Sequence, residues 1–413
     1  MRQWADHVTQ VESAAKLTFV YFDAGGGHRS AANALCAVIR EQKRPWEVTC
    51  LNLQELLDDI DLIRKLTGLR VQDLYNLLLD TGWTLGAAQA LSILHGLIRL
   101  YHSRFVSVLE RYWRDAQPDL IVSLVPNFNC QLAESIREAL PDAPFVTILT
   151  DLADYPPHFW MEPVSEYLVC GTEHAVLQAL AMGHPRERVF QTSGMILNPA
   201  FYAPCGTDRL EHRKALGLEP NRKTGLVLFG GQGSRVMTEI ASRLNSCDDL
   251  QLIFICGRNQ KLAAELRKMQ LRIPVFIEGF TTQVQHYMHL SDFLIGKPGP
   301  GSISEALMMG LPVIVERNAW TLPQERFNAA WIEEKEVGLV VHNFRRIGEA
   351  VWRLLEPAAF ARYRANAAAF NNRAVFEIPK ILEHILQRTN RQVPAPGRET
   401  GVTTGMPLSP EPC

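Results

Sequence analysis

Short apolar runs alternate with segments of helical spacing, and this alternation constrains the fold more than any other feature of the chain. Such alternation predicts a mostly parallel sheet with helices on both faces. Six runs lie in each half of the chain, which predicts two similar doubly wound domains. The predicted strands are residues 17–23, 47–53, 119–125, 145–149, 167–170 and 189–191, followed by 225–229, 251–255, 275–277, 293–295, 312–315 and 339–341.

Length, composition and charge narrow the class of protein. The 413 residues exceed one ordinary core, and a hydrophobic content of 47% with 21% charged residues is typical of a soluble globular protein. A net charge of −2 and the lack of nucleic-acid-binding motifs argue against a nucleic-acid partner. The 8 cysteines show no C-x-x-C spacing, which predicts reduced thiols in a cytosolic protein. We expect neither a signal peptide nor a membrane-spanning segment.

The domain organisation follows from these runs and from the composition between them. We expect an N-terminal domain over residues 1–200, a linker over 201–223, and a C-terminal domain over 224–388 that ends in helices. Residues 389–413 have almost no apolar content and are predicted to form a disordered tail. Residues 53–108 form an insertion rich in leucine and aromatic residues. It is either a helical hairpin packed on the domain or an amphipathic surface that takes up lipid.

Residues 296–307 place three glycines and two prolines between an apolar run and a helical pattern. The backbone N–H groups of such a turn and the positive end of the helix dipole together form an anion site, most often for phosphate or diphosphate. Glu305 falls one turn into the helix, where its carboxylate can reach a pair of sugar hydroxyls. The segment therefore predicts a nucleotide-type pocket.

An earlier glycine turn, residues 22–32, presents His28 at a helix N-terminus after the first strand. The turn is not G-x-G-x-x-G and no acidic residue ends the second strand, so NAD is disfavoured. The helix dipole disfavours imidazolium, so His28 is either a neutral base or a histidine that only caps the helix. Asp151 ends another strand and can orient His28, bind an acceptor hydroxyl or cap a helix.

Two further polar patterns lie in the second half of the chain. In the turn at residues 229–234, Gly231 lets a ligand lie against the backbone, or serves only a tight strand–helix connection. Gln324, Glu325 and Asn328 lie within one helical turn and offer both donors and acceptors to sugar hydroxyls. On its own, this cluster is equally compatible with an ordinary polar helix start.

Asp59 and Asp61 form a D-x-D pattern, which holds a metal ion in other transferases. Here the pattern stands in a leucine-rich helical context with no strand before it. We interpret it as a solvated helix face and expect no metal site.

Taken together and in this order, the motifs resemble a glycosyltransferase family. It includes plant monogalactosyldiacylglycerol synthases, bacterial processive diacylglycerol glucosyltransferases and the cell-wall transferase acting on lipid-linked muramyl-pentapeptide. The matching segments are GGGHRSAA (25–32), TDL (150–152), GGQG (230–233), EGF (278–280), KPGPG (297–301) with EA (305–306), and PQE (323–325) with Asn328. The resemblance covers roughly residues 17–345.

The resemblance implies an α/β GT-B fold, in which two doubly wound Rossmann-like domains face a central cleft. A UDP-sugar would bind the C-terminal domain and the acceptor mainly the N-terminal domain. His28 would deprotonate the acceptor hydroxyl, with Asp151 as the second catalytic residue and Gly26 and Gly27 on the acceptor side. The implied donor residues are Gly231, Gly299, Pro300, Gly301 and Ser302 for the diphosphate, the backbone near Phe280 for uracil, Glu305 for ribose, and Gln324, Glu325 and Asn328 for the sugar.

The implied function is inverting transfer of a hexose from a UDP-sugar to a lipid acceptor, with diacylglycerol favoured and no metal cofactor. The resemblance also implies a cytoplasmic enzyme held peripherally at the inner face of the membrane, because residues 53–108 match the acceptor and membrane region of the diacylglycerol-type members. The alternatives are transfer to a lipid-linked or soluble acceptor, a UDP-sugar 2-epimerase or hydrolase, and a binding protein without turnover. Pro323, Arg326 and Phe327 depart from the glycines usual in galactolipid synthases, which leaves the donor sugar open.

Overall fold

The computed structural model of the protein describes residues 14–23, 26–57, 101–164, 166–204, 206, 208–319 and 321–392. Within these residues the chain forms two parallel sheets of six strands each. All the strands predicted from the sequence are present, with ends shifted by no more than two residues. The prediction of two doubly wound α/β domains is therefore confirmed.

The N-terminal sheet and its helices occupy the first half of the chain. Its described elements are β1 (Ala15–Tyr21), α1 (Gly27–Glu41), β2 (Trp46–Asn52), α2 (Leu53–Leu57), α3 (His102–Ala116), β3 (Leu120–Ser123), α4 (Asn129–Ala139), β4 (Phe145–Ile148), β5 (Tyr167–Cys170), α5 (Glu173–Ala181) and β6 (Val189–Gln191). The strand order is β2-β1-β3-β4-β5-β6. The order reverses between β1 and β3, which creates a crevice at the carboxyl ends of these two strands.

The C-terminal sheet has the strand order β12-β11-β10-β7-β8-β9, with the equivalent reversal between β7 and β10. Its elements are α6 (Arg209–Ala215), β7 (Lys223–Leu228), α7 (Val236–Leu244), β8 (Leu250–Ile255), α8 (Gln260–Lys268), β9 (Val275–Glu278), α9 (Val284–His289), β10 (Phe293–Gly296), α10 (Pro300–Met308), β11 (Val313–Glu316), α11 (Pro323–Glu334), β12 (Gly338–Val341), α12 (Ile347–Leu355), α13 (Pro357–Ala368) and α14 (Ala374–Gln392).

Both faces of each sheet are covered, which explains why the strands are nearly continuous apolar runs. In the N-terminal sheet, Phe19 and Val122 pack toward α1, whereas Val20 and Ile121 pack on the opposite face toward α3 and α4. All four residues of β3 and of β4 are buried. Alternation of apolar and polar residues is consequently absent from the central strands.

The last helix crosses back from the second domain to the first. Val375, Ile378, Leu382 and Ile385 on α14 belong to the same buried cluster as the α1 face of the N-terminal sheet. The assignment of all residues 224–388 to the C-terminal domain is therefore corrected, because the apolar stripe of α14 is buried in the N-terminal core. This helix also continues to Gln392, past the predicted start of the tail at residue 389. The remainder of the predicted tail lies outside the described residues.

Two chain crossings connect the domains, and they are hydrogen-bonded to each other. The buried Asn372 donates from Nδ2 to the Met195 carbonyl at 2.8 Å, and the Arg373 amide donates to Ser193 Oγ at 2.7 Å. A Cβ atom at Gly194 would lie 2.6 Å from Asn372 Cγ, so this close approach requires glycine. The crossings therefore form one joined segment.

Buried charges attach the predicted linker to the C-terminal domain. Asp292, at the start of β10, accepts hydrogen bonds from Arg209 and Arg213 of α6 at 2.9 Å each and from the Thr224 amide at 2.8 Å. These contacts hold the pKa of Asp292 below its usual range, against the opposing effect of its burial. Part of the segment 201–223 is thus an integral part of the second domain.

Most of the predicted insertion 53–108, together with Asp59 and Asp61, lies outside the described residues. Its two ends are described as α2 and the first residues of α3. Leu53 and Phe105 join a buried cluster with Phe22 and Phe128 beneath these ends. In the described part of the chain, no helix is both long enough and apolar enough to cross a bilayer.

We predict that Leu382→Ala lowers the free energy of unfolding of the N-terminal domain by about 2–5 kcal/mol, because it removes a fully buried side chain from a close-packed core. The exposed Gln387 on the same helix provides the control: Gln387→Ala should change the free energy of unfolding by no more than about 0.5 kcal/mol. Urea unfolding followed by circular dichroism measures both. Equal effects of the two substitutions would contradict the packing of α14 in this core.

Candidate active site

His28 stands at the crevice of the N-terminal sheet, in the first turn of α1. Gly26 precedes the helix with a left-handed φ of 79°, which glycine adopts without strain. A Cβ atom at Gly26 or Gly27 would have no neighbour within 4 Å among the described residues, so that part of the chain leaves this turn open. The chain therefore presents a half-buried imidazole beside an unobstructed stretch of backbone.

The surroundings of His28 keep its ring neutral. Nδ1 of His28 lies 3.0 Å from Thr150 Oγ1, and the ring lies 5.7 Å from the Trp160 ring, centroid to centroid. Burial lowers the pKa of His28 to about 4, and a hydrogen bond with the Leu124 carbonyl offsets only part of this effect. A neutral imidazole at physiological pH is the protonation state that a general base needs.

Asp151 does not contact His28 directly. Its Oδ2 accepts a hydrogen bond from Trp160 Nε1 at 2.8 Å, and the fully buried Trp160 in turn lies against the His28 ring. Thr150, not Asp151, contacts the His28 ring, and Asp151 contacts the indole of Trp160 instead. A role of Asp151 in orienting His28 or binding an acceptor hydroxyl stays a prediction. Thr150 precedes Asp151 in the TDL motif, but the sequence shows no signal that distinguishes their roles.

The pKa of Asp151 is influenced by charged residues of the other domain. Burial raises the pKa of Asp151 to about 7, the Trp160 hydrogen bond opposes this rise, and the charges of Glu325 and Lys297 act on it with opposite signs. Glu325 and Lys297 belong to the C-terminal domain. Asp151, on the predicted acceptor side, is therefore close enough to Glu325 and Lys297, on the predicted donor side, for their charges to affect its pKa.

The glycine turn after β10 has the geometry expected of an anion site. Gly296 pairs with Leu228 of β7, and a Cβ atom at Gly296 would lie 2.5 Å from the Leu228 carbonyl oxygen, so glycine is required. Gly299 is the N-cap of α10, and Pro300 occupies its first turn. Gly301 is exposed and Ser302 half-buried. The free N–H groups of this helix end and its dipole favour a bound anion.

Residues of α11 support this turn from behind. Glu325 accepts a hydrogen bond from Lys297 Nζ at 2.8 Å, and Asn328 donates from Nδ2 to the Pro298 carbonyl at 2.8 Å. Asn328 is fully buried, and its Oδ1 has no hydrogen-bond partner among the described residues. This position gives Asn328 a clear structural task in holding the glycine turn. The predicted contacts of Glu325, Asn328 and the half-buried Gln324 with a sugar stay predictions.

Glu305 lies in the middle of α10 and is half-buried. Burial raises the pKa of its carboxyl group to about 7. Within the described residues its carboxylate has no side-chain partner. A partly desolvated carboxylate without a partner is suited to accept hydrogen bonds from ligand hydroxyls.

The loops after β7, β8 and β9 meet near Phe280. Glu278 accepts hydrogen bonds from the Gly279 amide at 2.8 Å and from the Tyr287 hydroxyl at 2.5 Å, which fixes the start of the loop that carries Phe280. The Phe280 ring is 58% exposed and has the Arg258 guanidinium 5.2 Å from its centroid. An exposed ring held in place in this way offers a surface for a planar base.

Arg258 was missed by the sequence analysis. Its backbone amide donates to the Gly231 carbonyl at 2.8 Å, which connects the β7 and β8 loops. Gly257 has a left-handed φ of 60°, and a Cβ atom there would lie 2.1 Å from the same carbonyl. The isolated glycine at the end of an apolar run was the available signal of this close approach.

A second missed residue joins the two domains across the cleft. The ring of His174, on α5, stacks on the ring of Phe327, on α11, with centroids 4.4 Å apart and an interplanar angle of 25°. The sequence drew attention to Phe327 only as a departure from the family pattern. Its contact with the opposite domain gives the bulky side chain a packing role.

The chain is similar in sequence and in fold to known glycosyltransferases. Residues 225–374 match the sequence family described as the glycosyltransferase family 28 C-terminal domain. Over 377 residues the chain is 28% identical to the chloroplastic monogalactosyldiacylglycerol synthase of spinach, Spinacia oleracea. That alignment covers 86% of this chain and 68% of the spinach protein.

The chain thus carries a glycosyltransferase family 28 C-terminal domain in its second half, and the whole chain has the GT-B fold. Solved structures of the same fold include Acinetobacter baumannii MurG, with a TM-score of 0.59 and 12% identity over 92% of this chain and 100% of MurG. A UDP-N-acetylglucosamine 2-epimerase aligns with a TM-score of 0.58 and 14% identity, covering 94% of this chain and 100% of the epimerase. At such identities these two structures show the fold alone.

For this glycosyltransferase, the predictions of family and of GT-B fold are confirmed. The predicted enzyme class, a UDP-sugar-dependent hexosyltransferase, is confirmed at the level of the family. Likeness of fold does not separate transferases from epimerases, whereas the family 28 match and the sequence relatives do. The roles assigned to individual site residues stay predictions.

We predict that Thr150→Val lowers the kcat of the glycosyltransferase roughly ten-fold, because loss of one hydrogen bond of about 1–1.5 kcal/mol frees the His28 ring. Thr150→Ser keeps the hydroxyl and should restore most of the rate. Steady-state kinetics and donor titration separate kcat from donor affinity, which should be unchanged. If the valine and serine variants turn over equally fast, Thr150 does not position His28.

We predict that Asp151→Asn changes how stability depends on pH. Because the pKa of Asp151 is about 7 in the fold and 3.8 otherwise, the unfolded chain binds fewer protons between these values, and wild-type stability falls as pH rises through this window. Asn does not titrate, so the free energy of unfolding of the variant should not fall in this way. The difference in free energy of unfolding, variant minus wild type, should therefore increase by about 3–4 kcal/mol between pH 4 and pH 8.

Urea unfolding across this pH range measures the difference, and Asp115→Asn on the exposed face of α3 serves as the control that keeps the wild-type profile. A stability difference between Asp151→Asn and wild type that does not vary with pH would mean that Asp151 is already ionised at neutral pH in the fold.

Proposed function

We propose that the enzyme transfers a hexose with inversion from a UDP-sugar to a lipid acceptor, and that the acceptor is a diacylglycerol. The observation that carries this proposal is geometric: His28, held by Thr150, stands at the crevice of one domain, and the glycine turn at the N-terminus of α10 stands at the crevice of the other. A base on one side of a cleft and an anion site on the other are the two parts that direct displacement at a sugar requires.

The donor half of the proposal rests on the C-terminal loops. Negative charge grows on the leaving diphosphate as the sugar bond breaks, and the N-terminus of α10 and Lys297 are positive groups beside its proposed position. Glu305 would accept hydrogen bonds from the ribose, and the base would lie near Phe280 and Arg258. Gln324 and Glu325 would contact the hexose.

We propose that these groups replace a metal ion in the reaction. Preorganised N–H donors, a helix dipole and an ammonium group together supply positive charge where it develops in the transition state. Turnover should therefore be the same in the presence of EDTA.

The acceptor half of the proposal rests on the ends of the insertion. Phe22 directly precedes the turn that leads to His28, and its ring lies 5.3 Å from that of Phe128, which in turn lies 5.9 Å from Phe105 of α3. This apolar cluster leads from both described ends of residues 53–108 to the base. A lipid acceptor fits such surroundings, and the names of the sequence relatives support diacylglycerol in particular.

We further propose that the enzyme works at a membrane surface without spanning it. A diacylglycerol remains in a bilayer, so its hydroxyl must be reached at the interface. Arg104, Arg111 and Arg114 are exposed on α3, and basic side chains beside apolar ones suit the interface of an anionic bilayer.

The test is a panel of donors and acceptors. The protein is incubated with UDP-glucose, UDP-galactose or UDP-N-acetylglucosamine, each with phospholipid vesicles that contain or lack diacylglycerol, and with EDTA throughout. We expect UDP release from at least one donor to depend on diacylglycerol, with a glycosylated lipid detected by mass spectrometry. His28→Ala should lower this release by about 10²–10⁴-fold, since it removes the general base. UDP binding by the variant, measured by calorimetry, should stay within about two-fold of wild type because His28 is not part of the proposed donor contacts.

Each alternative has its own outcome in the same assay. UDP release that is indifferent to lipid, with free sugar or a 2-epimer as product, would overturn the transferase proposal in favour of a hydrolase or an epimerase. Transfer to a soluble or lipid-linked acceptor but not to diacylglycerol would overturn only the choice of acceptor. Wild-type turnover by His28→Ala would overturn the assignment of the base.

A further inference from the structure

Two cysteines that are not among the proposed ligand contacts lie against each other. Sγ of Cys36, on α1, lies 3.3 Å from Sγ of Cys50, on β2. The sheet register explains the approach: Cys50 pairs with Phe19, which faces α1, so Cys50 lies on the same side of the sheet as the helix. Their contact depends on a parallel strand pair, which explains why the cysteine spacing in the sequence does not reveal it.

The two thiols differ in access and in acidity. Cys36 is buried and Cys50 is exposed. A hydrogen bond from Cys36 lowers the pKa of Cys50 to about 7, and the positive charge of Arg40, one turn beyond Cys36 on α1, acts in the same direction. Burial opposes these two effects only in part. Cys50 is thus the thiol that ionises first and meets solvent.

We propose that Cys36 and Cys50 are a redox-active pair that forms a reversible intramolecular disulfide, with Cys50 as the thiol that an oxidant attacks. The sulfur atoms need to move only from 3.3 Å to the bonded distance of about 2.0 Å. Among the described residues, β2 is an edge strand whose one partner is β1, so a small shift of β2 disturbs one strand pair. Cys36 lies on α1, about two turns beyond His28.

The reaction balances with a peroxide as oxidant. The Cys50 thiolate attacks one peroxide oxygen, the O–O bond breaks, and a sulfenic acid forms as hydroxide leaves and takes up a proton. The Cys36 sulfur then attacks Cys50 Sγ, the S–O bond breaks, and a second water is released. Two thiols are oxidised by two electrons and one peroxide is reduced to two waters. A dithiol reverses the step by disulfide exchange.

Other cysteines in the described part of the chain do not combine an exposed thiol with a lowered pKa. Burial raises the pKa of Cys170 to about 12 and that of Cys256 to about 11, and both thiols are buried. Such thiols are unreactive at neutral pH because they stay protonated. Cys247 is half-buried and burial raises its pKa, so it serves as a matched control.

The first test measures the reactivity of the reduced full-length protein. At pH 7, Cys50 should react with iodoacetamide about five-fold faster than a thiol of pKa 9, because its larger thiolate fraction outweighs its lower nucleophilicity. Cys36→Ala removes the hydrogen-bond donor and should slow Cys50 about five-fold, whereas Cys247→Ser should leave the rate unchanged. Equal rates for Cys50 in wild type and Cys36→Ala would overturn the assignment of Cys50 as the activated thiol.

The second test measures the bond itself. After treatment with hydrogen peroxide, peptide mapping by mass spectrometry should show a Cys36–Cys50 linkage that is 2 Da lighter than the two thiols and is reversed by dithiothreitol. Cys50→Ser should abolish the linkage and Cys247→Ser should retain it. Oxidation of Cys50 to sulfinic acid without linkage, or a bond between two protein molecules instead, would overturn the proposed pair. Neither measurement depends on the proposed glycosyl transfer.

Discussion

The carboxyl ends of the parallel strands determine where the functional groups of this enzyme lie. Parallel pairing brings the carboxyl ends of all strands of one sheet to a single edge. The loops after β1 and β4 therefore lie at one edge of the N-terminal sheet, and those after β7, β9, β10 and β11 lie at one edge of the C-terminal sheet, although they are far apart in sequence. His28 follows β1 and the glycine turn follows β10, each beside the reversal of strand order in its sheet. The close approach of Gly296 to the Leu228 carbonyl is part of the same geometry.

Burial sets the protonation states at this edge. It lowers the pKa of His28 and raises those of Asp151 and Glu305, so all three groups are more neutral than they would be in water. A negative charge added nearby favours the protonated forms of all three groups. Binding of an anionic diphosphate beside α10 should therefore raise the pKa of His28, which makes the imidazole a stronger base for the acceptor proton.

The sequence was sufficient to predict the strands, the two domains and the glycine turns, because each depends on local apolar runs and on the conformational freedom of glycine. It did not predict the Thr150 contact with His28, the Trp160–Asp151 hydrogen bond or the Arg258–Phe280 stack. These contacts join side chains that are brought together only by tertiary folding. An apolar stripe in the sequence does not specify which domain covers it, so the burial of α14 in the N-terminal core is visible only in the structure.

The joined crossings between the domains have a mechanical consequence. Because Asn372 and Arg373 are hydrogen-bonded to the chain at residues 193–195, the two domains share a double-stranded hinge. A hinge of two bonded strands resists twisting and sliding but still bends about one axis. The domains of this enzyme should consequently open and close about that axis, and each closure should return His28 to the same position relative to the C-terminal domain.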